Sequence, residues 1–315
     1  IDERCIGFES LKENVESYTP EYTSKITGVD EDTLYKVAKL YAKTKKAGIF
    51  YTLGITEHTT GTDNVMNLAN LGMLTGHVGI ENAGINPLRG QNNVQGSCDM
   101  GALPNYFPGY KFCDNQDNVE IFEKLWDTKL NDKIGLRIPE MLDGIMDGNV
   151  KAMYVMGEDP VLTDPDANHV RKALNALDFL VVQNIFLTET AKLADVVLPS
   201  TAYAEKDGTF TNTERRVQRV RKAADAPNNL MIDWQMTSEI GKRMGYKGFE
   251  YHNSEEIFEE IRKSIPSYAG INYKRIDKDG LQWGCPTIDS PGSKYLHSGE
   301  FTRGKGLMLP IEYLP

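Results

Sequence analysis

The stretch Gly76 to Gly109, GHVGIENAGINPLRGQNNVQGSCDMGALPNYFPG, constrains the chain most. It holds seven glycines, three prolines and five asparagines, with no hydrophobic run at helical or strand spacing. A structureless loop of that length in an otherwise well-patterned chain is either disordered or functional. Disordered segments are rich in charge and poor in apolar residues. Here charges are few, and Val78, Ile80, Ile85, Leu88, Val94, Met100, Leu103, Tyr106 and Phe107 are spread along it. The expectation is an ordered loop wrapped round something polar. Its glycines permit close backbone approach, and Gln91, Asn92, Asn93 and Gln95 supply amide donors and acceptors. Arg89 is its one Lys or Arg. A guanidinium there is either a planar fork for a carboxylate or phosphate or an ordinary structural contact.

A chain of 315 residues exceeds what one hydrophobic core normally spans, so two domains are expected. No apolar run reaches the length that crosses a bilayer. The formal net charge of −10 argues against non-specific nucleic-acid binding, which needs a basic face. Cys5, Cys98, Cys113 and Cys285 lie far apart with no CxxC pair, which offers no zinc or iron–sulfur framework and fits reduced thiols in a cytoplasm. The chain starts at Ile1 without a Met or a signal-peptide pattern, so a piece of a longer polypeptide is expected.

The elements keep an α/β rhythm. Residues 8–20 read as a short helix or arm ending at Thr19-Pro20. Next comes a helix capped by Asp30, with Leu34, Val37, Ala38 and Tyr41 on one face and Gly48 as its stop. Ile49 to Leu53 reads as a buried strand, then comes the turn GITEHTTGTDN, and a helix starts near Asp63. Beyond the long loop, residues 119–126 and 138–146 read as helices. Strands are predicted at 152–156, 179–182 and 195–198, with a helix over 165–177. Residues 207–218 alternate as one strand, and 232–245 form an amphipathic helix with Trp234, Ile240 and Met244 inward. The stretch after Pro266 reads as an irregular wrap.

In parallel sheets ligands bind at the carboxyl ends of strands. Gly54 to Asn64, Glu158 with Asp159, and Gln183 with Asn184 all fall there. A carboxylate at such an exit suits the N1–H and exocyclic amine of guanine or a ribose diol, though Asp159 before a proline also suits capping the next turn. His58 reads as a solvated turn histidine. The basic residues Arg215, Arg216, Arg219, Arg221 and Lys222 read either as a solvated, acid-paired face or as anion contacts.

Taken in order, NPLRGQNNVQGSCDMGALPNYFPGY, MGEDPVLTD, QNIFLTETAKLADVVLPS and DGTFTNTERRVQ resemble the molybdopterin oxidoreductase family, and within it the catalytic alpha subunits of formate dehydrogenases, over essentially the whole chain. The resemblance implies an incomplete α/β fold of three-layer αβα, Rossmann-like domains of the formate dehydrogenase/DMSO reductase type. Residues 1–88 would be part of a first cofactor-binding domain, 89–110 the active-site loop, 111–300 a second, dinucleotide-binding domain, and 301–315 a linker toward a further domain. It implies bis-molybdopterin guanine dinucleotide with molybdenum or tungsten, a [4Fe–4S] cluster in the parent chain, formate as substrate and an electron-acceptor subunit. Arg89 matches the family's substrate arginine, with Gly90 and Gln91 beside the pterin. Leu53, Gly54 and Glu57 match one dinucleotide contact; Gly157, Glu158, Asp159, Thr163, Gln183, Asn184, Ser200 and Asp233 match the other. Glu57 replaces a Gln of related enzymes, and Asn184 stands where Asp is frequent.

The family's cluster cysteines, its metal-binding cysteine or selenocysteine and the neighbouring histidine have no counterpart in these residues. The expected function is therefore the central part of a formate dehydrogenase, inactive by itself. Two other readings stay open: another molybdopterin oxidoreductase acting on an oxyanion such as nitrate, and a non-catalytic α/β nucleotide-binding module.

Overall fold

A computed structural model of the chain describes residues 3–314, and of Asn229 the backbone alone. Ile1, Asp2 and Pro315, at the ends of the first and last expected segments, lie outside the described residues. The chain divides into two compact units, Ile1–Asn92 with Ser293–Pro315, and Asn93–Gly292.

The first unit opens with β1 (Cys5–Ile6), α1 (Phe8–Val15), α2 (Pro20–Thr27) and α3 (Glu31–Lys43). Thr19 accepts from Tyr22 N at 3.2 Å, and Pro20 fills a first-turn position where its missing N–H is not needed. Thr19-Pro20 therefore starts a helix. Asp30 caps α3, accepting from Thr33 N at 2.9 Å. That helix ends at Thr44, whose hydroxyl donates to Leu40 O at 2.7 Å, so Gly48 opens the next strand rather than stopping the helix.

That strand, β2 (Gly48–Tyr51), is succeeded by α4 (Leu53–Thr56) and α5 (Gly61–Leu74), and then by β3 (Gly84–Pro87), which runs parallel to β2 with Ile49 opposite Ile85 and Tyr51 opposite Pro87. Leu53 starts a helical turn instead of ending a strand. Gly72 of α5 lets the helix lie close on β3, since a Cβ there would stand 2.8 Å from Ile85 Cδ1.

The long loop is thus less irregular than its composition implies: it contains β3, α6 (Val94–Asp99) and β4 (Tyr106–Phe107). Gly and Pro at the ends of β3 weaken any strand signal. The strand exists because β2 pairs with it, and Asn86 adds a side-chain bond to Ile49 O at 3.2 Å.

The second unit runs α6 (Val94–Asp99), β4 (Tyr106–Phe107), β5 (Lys111–Phe112), α7 (Gln116–Trp126), α8 (Ile138–Met146), β6 (Ala152–Met156), α9 (Pro160–Thr163), α10 (Ala167–Asn175), β7 (Phe179–Asn184) and β8 (Val196–Pro199). β9 (Gly208–Thr211), β10 (Arg216–Val220), α11 (Asp233–Arg243), α12 (Ser254–Ser264) and β11 (Leu281–Gln282) complete it. Strands β6, β7 and β8 form a parallel sheet in that order. Leu142, Ile145, Val155, Val170, Leu180 and Val182 are buried between it and α8 and α10. Its opposite face, along Tyr154, Met156, Phe179 and Val196, is exposed.

β9, β10 and β11 form an antiparallel sheet. The alternating stretch read as one strand is a hairpin, turned by Asn212, whose Oδ1 accepts from Glu214 N and Arg216 N at 3.1 and 3.0 Å. In α11, Met236 and Ser238 are buried, whereas Met244, expected inward, is 83% exposed beyond the helix end.

The stretch after Pro266 is not a loose wrap. Tyr268, Ile271, Tyr273, Ile276 and Cys285 build a core with Val217 and Phe258. Periodicity is missing because Arg275, not a helix or strand, ties down the backbone here, donating to Gly270 O and Ser290 O at 2.6 and 2.5 Å. The carboxyl-terminal residues return to the first unit as β12 (Gly306–Leu307), parallel to β1. Met308 is buried there with Leu11, where a linker was expected from residue 301. Among the described residues, no helix is long and apolar enough to cross a membrane.

Candidate functional site

In the first unit, β2 and β3 end side by side because they run parallel. The ladder continues one rung beyond them, with Leu88 N donating to Tyr51 O at 2.8 Å. Arg89 is the next residue and lies near Tyr51: burial pushes the Tyr51 phenol up, and the Arg89 charge partly offsets that. Past β2 come Leu53 and Gly54 in α4, with Glu57 as its C-cap. Arg89, Gly90 and Gln91 therefore emerge at the same end of the strand pair as Leu53, Gly54 and Glu57, and all six are exposed. His58 lies with Nε2 3.0 Å from Gly54 O, a local contact that steadies the α4 turn.

In the second unit the exits of β6, β7 and β8 are cross-linked. Gly157, at φ 69°, donates from N to Gln183 O at 2.8 Å. Asn184 Nδ2 donates to Glu158 O at 3.2 Å, and Ser200 N to Asn184 O at 3.0 Å. The Asn184 Oδ1 accepts from Ile185 N at 2.8 Å, so its amide serves the turn.

Asp159 holds the buried Thr190, accepting from its N at 2.9 Å and its hydroxyl at 2.6 Å. Thr190 in turn accepts from Val161 N at 3.1 Å, and Thr163 donates to Asp159 O at 3.2 Å. Asp159 and Thr163 thus build the α9 turn, the structural role open to an Asp before proline.

Gln183, Ser200 and Asp233 come together. Asp233 opens α11, where the helix dipole favours a carboxylate. Its Oδ1 accepts from Gln183 Nε2 at 2.7 Å and from the Ser200 hydroxyl, and Lys206 Nζ pairs with Oδ2. Tyr154 donates its hydroxyl to Gln183 Oε1. Burial works to raise the Asp233 pKa, but the bonds and charge of Lys206, with those of Ser200 and Gln183, outweigh it and hold the carboxyl below its ordinary value. In the residues that follow Ser200 and Asp233 in sequence, the Thr201 hydroxyl and the Trp234 indole N–H are buried without a partner among the described residues. Nothing in the sequence marks Lys206 or Tyr154 as members, since they reach the cluster across chain separations of 27 and 29.

A second polar cluster is also unmarked. Asp99, 1% exposed, accepts from Gln95 Nε2 and Tyr110 OH at 2.8 Å each and from Tyr268 OH at 2.5 Å. Burial first, then the Asp99 charge, push the Tyr110 and Tyr268 phenols well above the ordinary range. Thr211 lies 3.1 Å from Tyr268 OH, and its N donates to Asn93 Oδ1 at 2.8 Å, tying β9 to the start of α6. Arg215 is half-buried over the Trp283 ring, 5.0 Å from its centroid. The outer members of the basic cluster pair with acids: Arg216 with Glu214 at 2.7 Å, Arg221 with Asp277 and Lys222 with Asp225 at 2.6 Å each.

Comparison with known proteins gives a consistent result. The family model for molybdopterin oxidoreductase matches residues 21–243. The chain is 53% identical to the F420-dependent formate dehydrogenase subunit alpha of Methanocaldococcus jannaschii over 99% of its own length and 46% of that protein's. It is 43% identical to formate dehydrogenase H of Escherichia coli, over 98% of this chain and 43% of that protein. It thus spans about half the length of these curated relatives. Among solved structures, the acetylene hydratase of Pelobacter acetylenicus shares the fold with a TM-score of 0.68, at 18% identity, over 100% of this chain and 47% of that one. The chain belongs to the molybdopterin oxidoreductase family.

Proposed function

We propose that this chain is the central part of a formate dehydrogenase alpha subunit, holding one dinucleotide of a bis-molybdopterin guanine dinucleotide cofactor at the strand exits of each unit and orienting formate with Arg89. The observation that carries the reading is the position of Arg89, one residue past the rung that joins β3 to β2, at the same end as Leu53, Gly54 and Glu57.

The residues present fit such a cofactor. Gly54, Gly90 and Gly157 have open space where a side chain would stand, which suits a pyrophosphate or pterin approaching backbone. Leu53, Gly54 and Glu57 would meet one dinucleotide, with Gly90 and Gln91 beside the pterin; Ser200 and Asp233, positioned by the buried Gln183, would hold the guanosine of the other, with Gly157, Glu158 and Asn184 around them and Asp159 and Thr163 building the adjoining turn.

When bound, the cofactor supplies the molybdenum or tungsten centre that accepts the two electrons of formate oxidation. The work of Arg89 is electrostatic: its fork matches a carboxylate in two parallel hydrogen bonds, and its permanent charge is in place before the C–H bond breaks. Activity requires sequence beyond these residues, including the [4Fe–4S] ligands of the parent chain and an electron-acceptor subunit.

In the intact enzyme Arg89→Ala is expected to lower kcat/KM for formate by about 100- to 1,000-fold while the molybdenum or tungsten and guanosine content per protein stays at the wild-type level. Wild-type-like turnover with formate would remove Arg89 from the mechanism. Higher activity with nitrate than with formate would replace the substrate.

A further inference from the structure

We propose that Lys206 is a positioning residue of the second unit's nucleotide site, acting through Asp233 to set how firmly the strand exits keep a guanosine nucleotide. This rests on the reading that Ser200 and Asp233, positioned by Gln183, hold a dinucleotide.

The groups that meet Asp233 come from several elements. Tyr154 of β6 fixes Gln183 of β7 by donating to its Oε1, which leaves Gln183 Nε2 to donate to Asp233 Oδ1. Ser200, just past β8, donates to the same oxygen. Lys206, ahead of β9, takes Oδ2 and is itself tethered to Thr201 O at 3.3 Å. Of these groups Lys206 alone carries a positive charge.

The side chains of Lys206 and Asp233 are 24% and 28% exposed, so this pair is far less hydrated than the surface pairs of the basic cluster. A carboxylate this enclosed is strongly disfavoured once its cation is removed. Neutral donors from Gln183 and Ser200 would then work against burial alone.

The ionisation matters because a carboxylate is acceptor-only and a carboxylic acid is also a donor. A guanine edge or ribose diol presents donors. With Lys206 in place Asp233 stays an acceptor at any pH above its depressed pKa. Without Lys206 the carboxyl loses its bond and its charge, two of the effects that hold its pKa down, so the acceptor is lost at a higher pH than in the wild type.

The test uses the intact enzyme. Guanosine nucleotide released on denaturation is quantified per mole of protein after equal dialysis at pH 7.5 and pH 5.0, for wild type, Lys206→Met, Lys206→Arg and Asp233→Asn. Wild type is expected to retain the same amount at both pH values. Lys206→Met should lose nucleotide about tenfold faster at pH 5.0 than at pH 7.5, and Lys206→Arg should restore the flat profile.

Equal retention by Lys206→Met and wild type at both pH values overturns the proposal. So does an equal loss at both pH values, which would mark a merely structural role. If Lys206→Met does not accumulate as folded protein, Lys206→Gln against Lys206→Arg decides by the same profile. Full retention by Asp233→Asn would defeat the underlying reading of the site. Loss in Asp233→Asn with a flat wild-type-like profile in Lys206→Met would defeat the role of Lys206 alone.

Discussion

Gln183 Nε2 donates to Asp233 Oδ1 across 2.7 Å, joining the end of a parallel strand to the first residue of a helix. Gln183 has no exposed surface, so its amide orientation is set by Tyr154 on one side and Asp233 on the other. The pair ties the β7 exit to the start of α11.

Gln183→Leu should destabilise the fold by about 1–3 kcal/mol, because it leaves the Tyr154 hydroxyl and one Asp233 bond unmatched. Gln183→Glu should be worse, since it sets a second carboxylate against Asp233 in a half-buried site. Urea midpoints of the three proteins at pH 7 check the order.

Tyr268 and Tyr110 give the fold an alkaline limit. Both phenols have pKa values raised above the ordinary 10.0 by burial and by Asp99. The unfolded chain therefore gives up these protons at lower pH than the native chain. Stability is full below pH 10 and falls as pH climbs beyond it. Tyr268→Phe should flatten that fall while lowering stability at pH 7 by about 1–3 kcal/mol, because Asp99 loses a buried donor. Denaturation midpoints between pH 7 and 11 separate the two effects.

Asp159→Ala should act on stability more than on chemistry. It leaves the buried Thr190 N–H and hydroxyl without the oxygen both use, for about 1–3 kcal/mol. Thr190→Val should approach the same value, and the double mutant should fall well short of their sum. Additive losses would show that the two residues act separately.

Arg89→Lys keeps the charge and loses the fork. With formate, kcat/KM should fall by about 10- to 100-fold, less than in Arg89→Ala, because an ammonium cannot reproduce two parallel bonds. Steady-state kinetics on the two variants in the intact enzyme would rank them, and equal values would mean that geometry does not matter at this position.

The exposed apolar face of the β6–β7–β8 sheet should make the 315-residue chain associate as its concentration rises, since parallel sheets are normally covered on both faces. Val196→Lys on the edge strand β8 should reduce that association with a stability change within about 0.5 kcal/mol. Sedimentation velocity over a range of concentrations reads it directly.

The elements that could be read from the sequence are those built by local pattern. The helix start at Asp30, the run Ile138–Met146 and the strand Ala152–Met156 all appear within a residue of their patterns, although the helix begun at Asp30 ends at Lys43, short of Gly48, and buries no residue. β3 could not be read so, because Gly84 and Pro87 bracket it and only pairing with β2 makes it a strand. The core under Tyr268 and Ile276 was equally hidden, since irregular backbone held by Arg275 presents no period.

The candidate site divides in the same way. Gln183 stands at a strand exit and could be named from the order of elements, whereas Ser200 and Asp233 are named only through the family resemblance. Lys206 and Tyr154, and the Asp99–Tyr268 contact across 169 residues, depend on tertiary closure that no local signal carries.

The rung from Leu88 to Tyr51 works as a ruler for the residue after it. Arg89 leaves the sheet at a height and on a side fixed by counting from Gly84, and side chains alternate faces at every step of a strand. Removing one residue from Gly84–Pro87 would invert the side on which the guanidinium departs, leaving every atom of the site present and its cation aimed the wrong way.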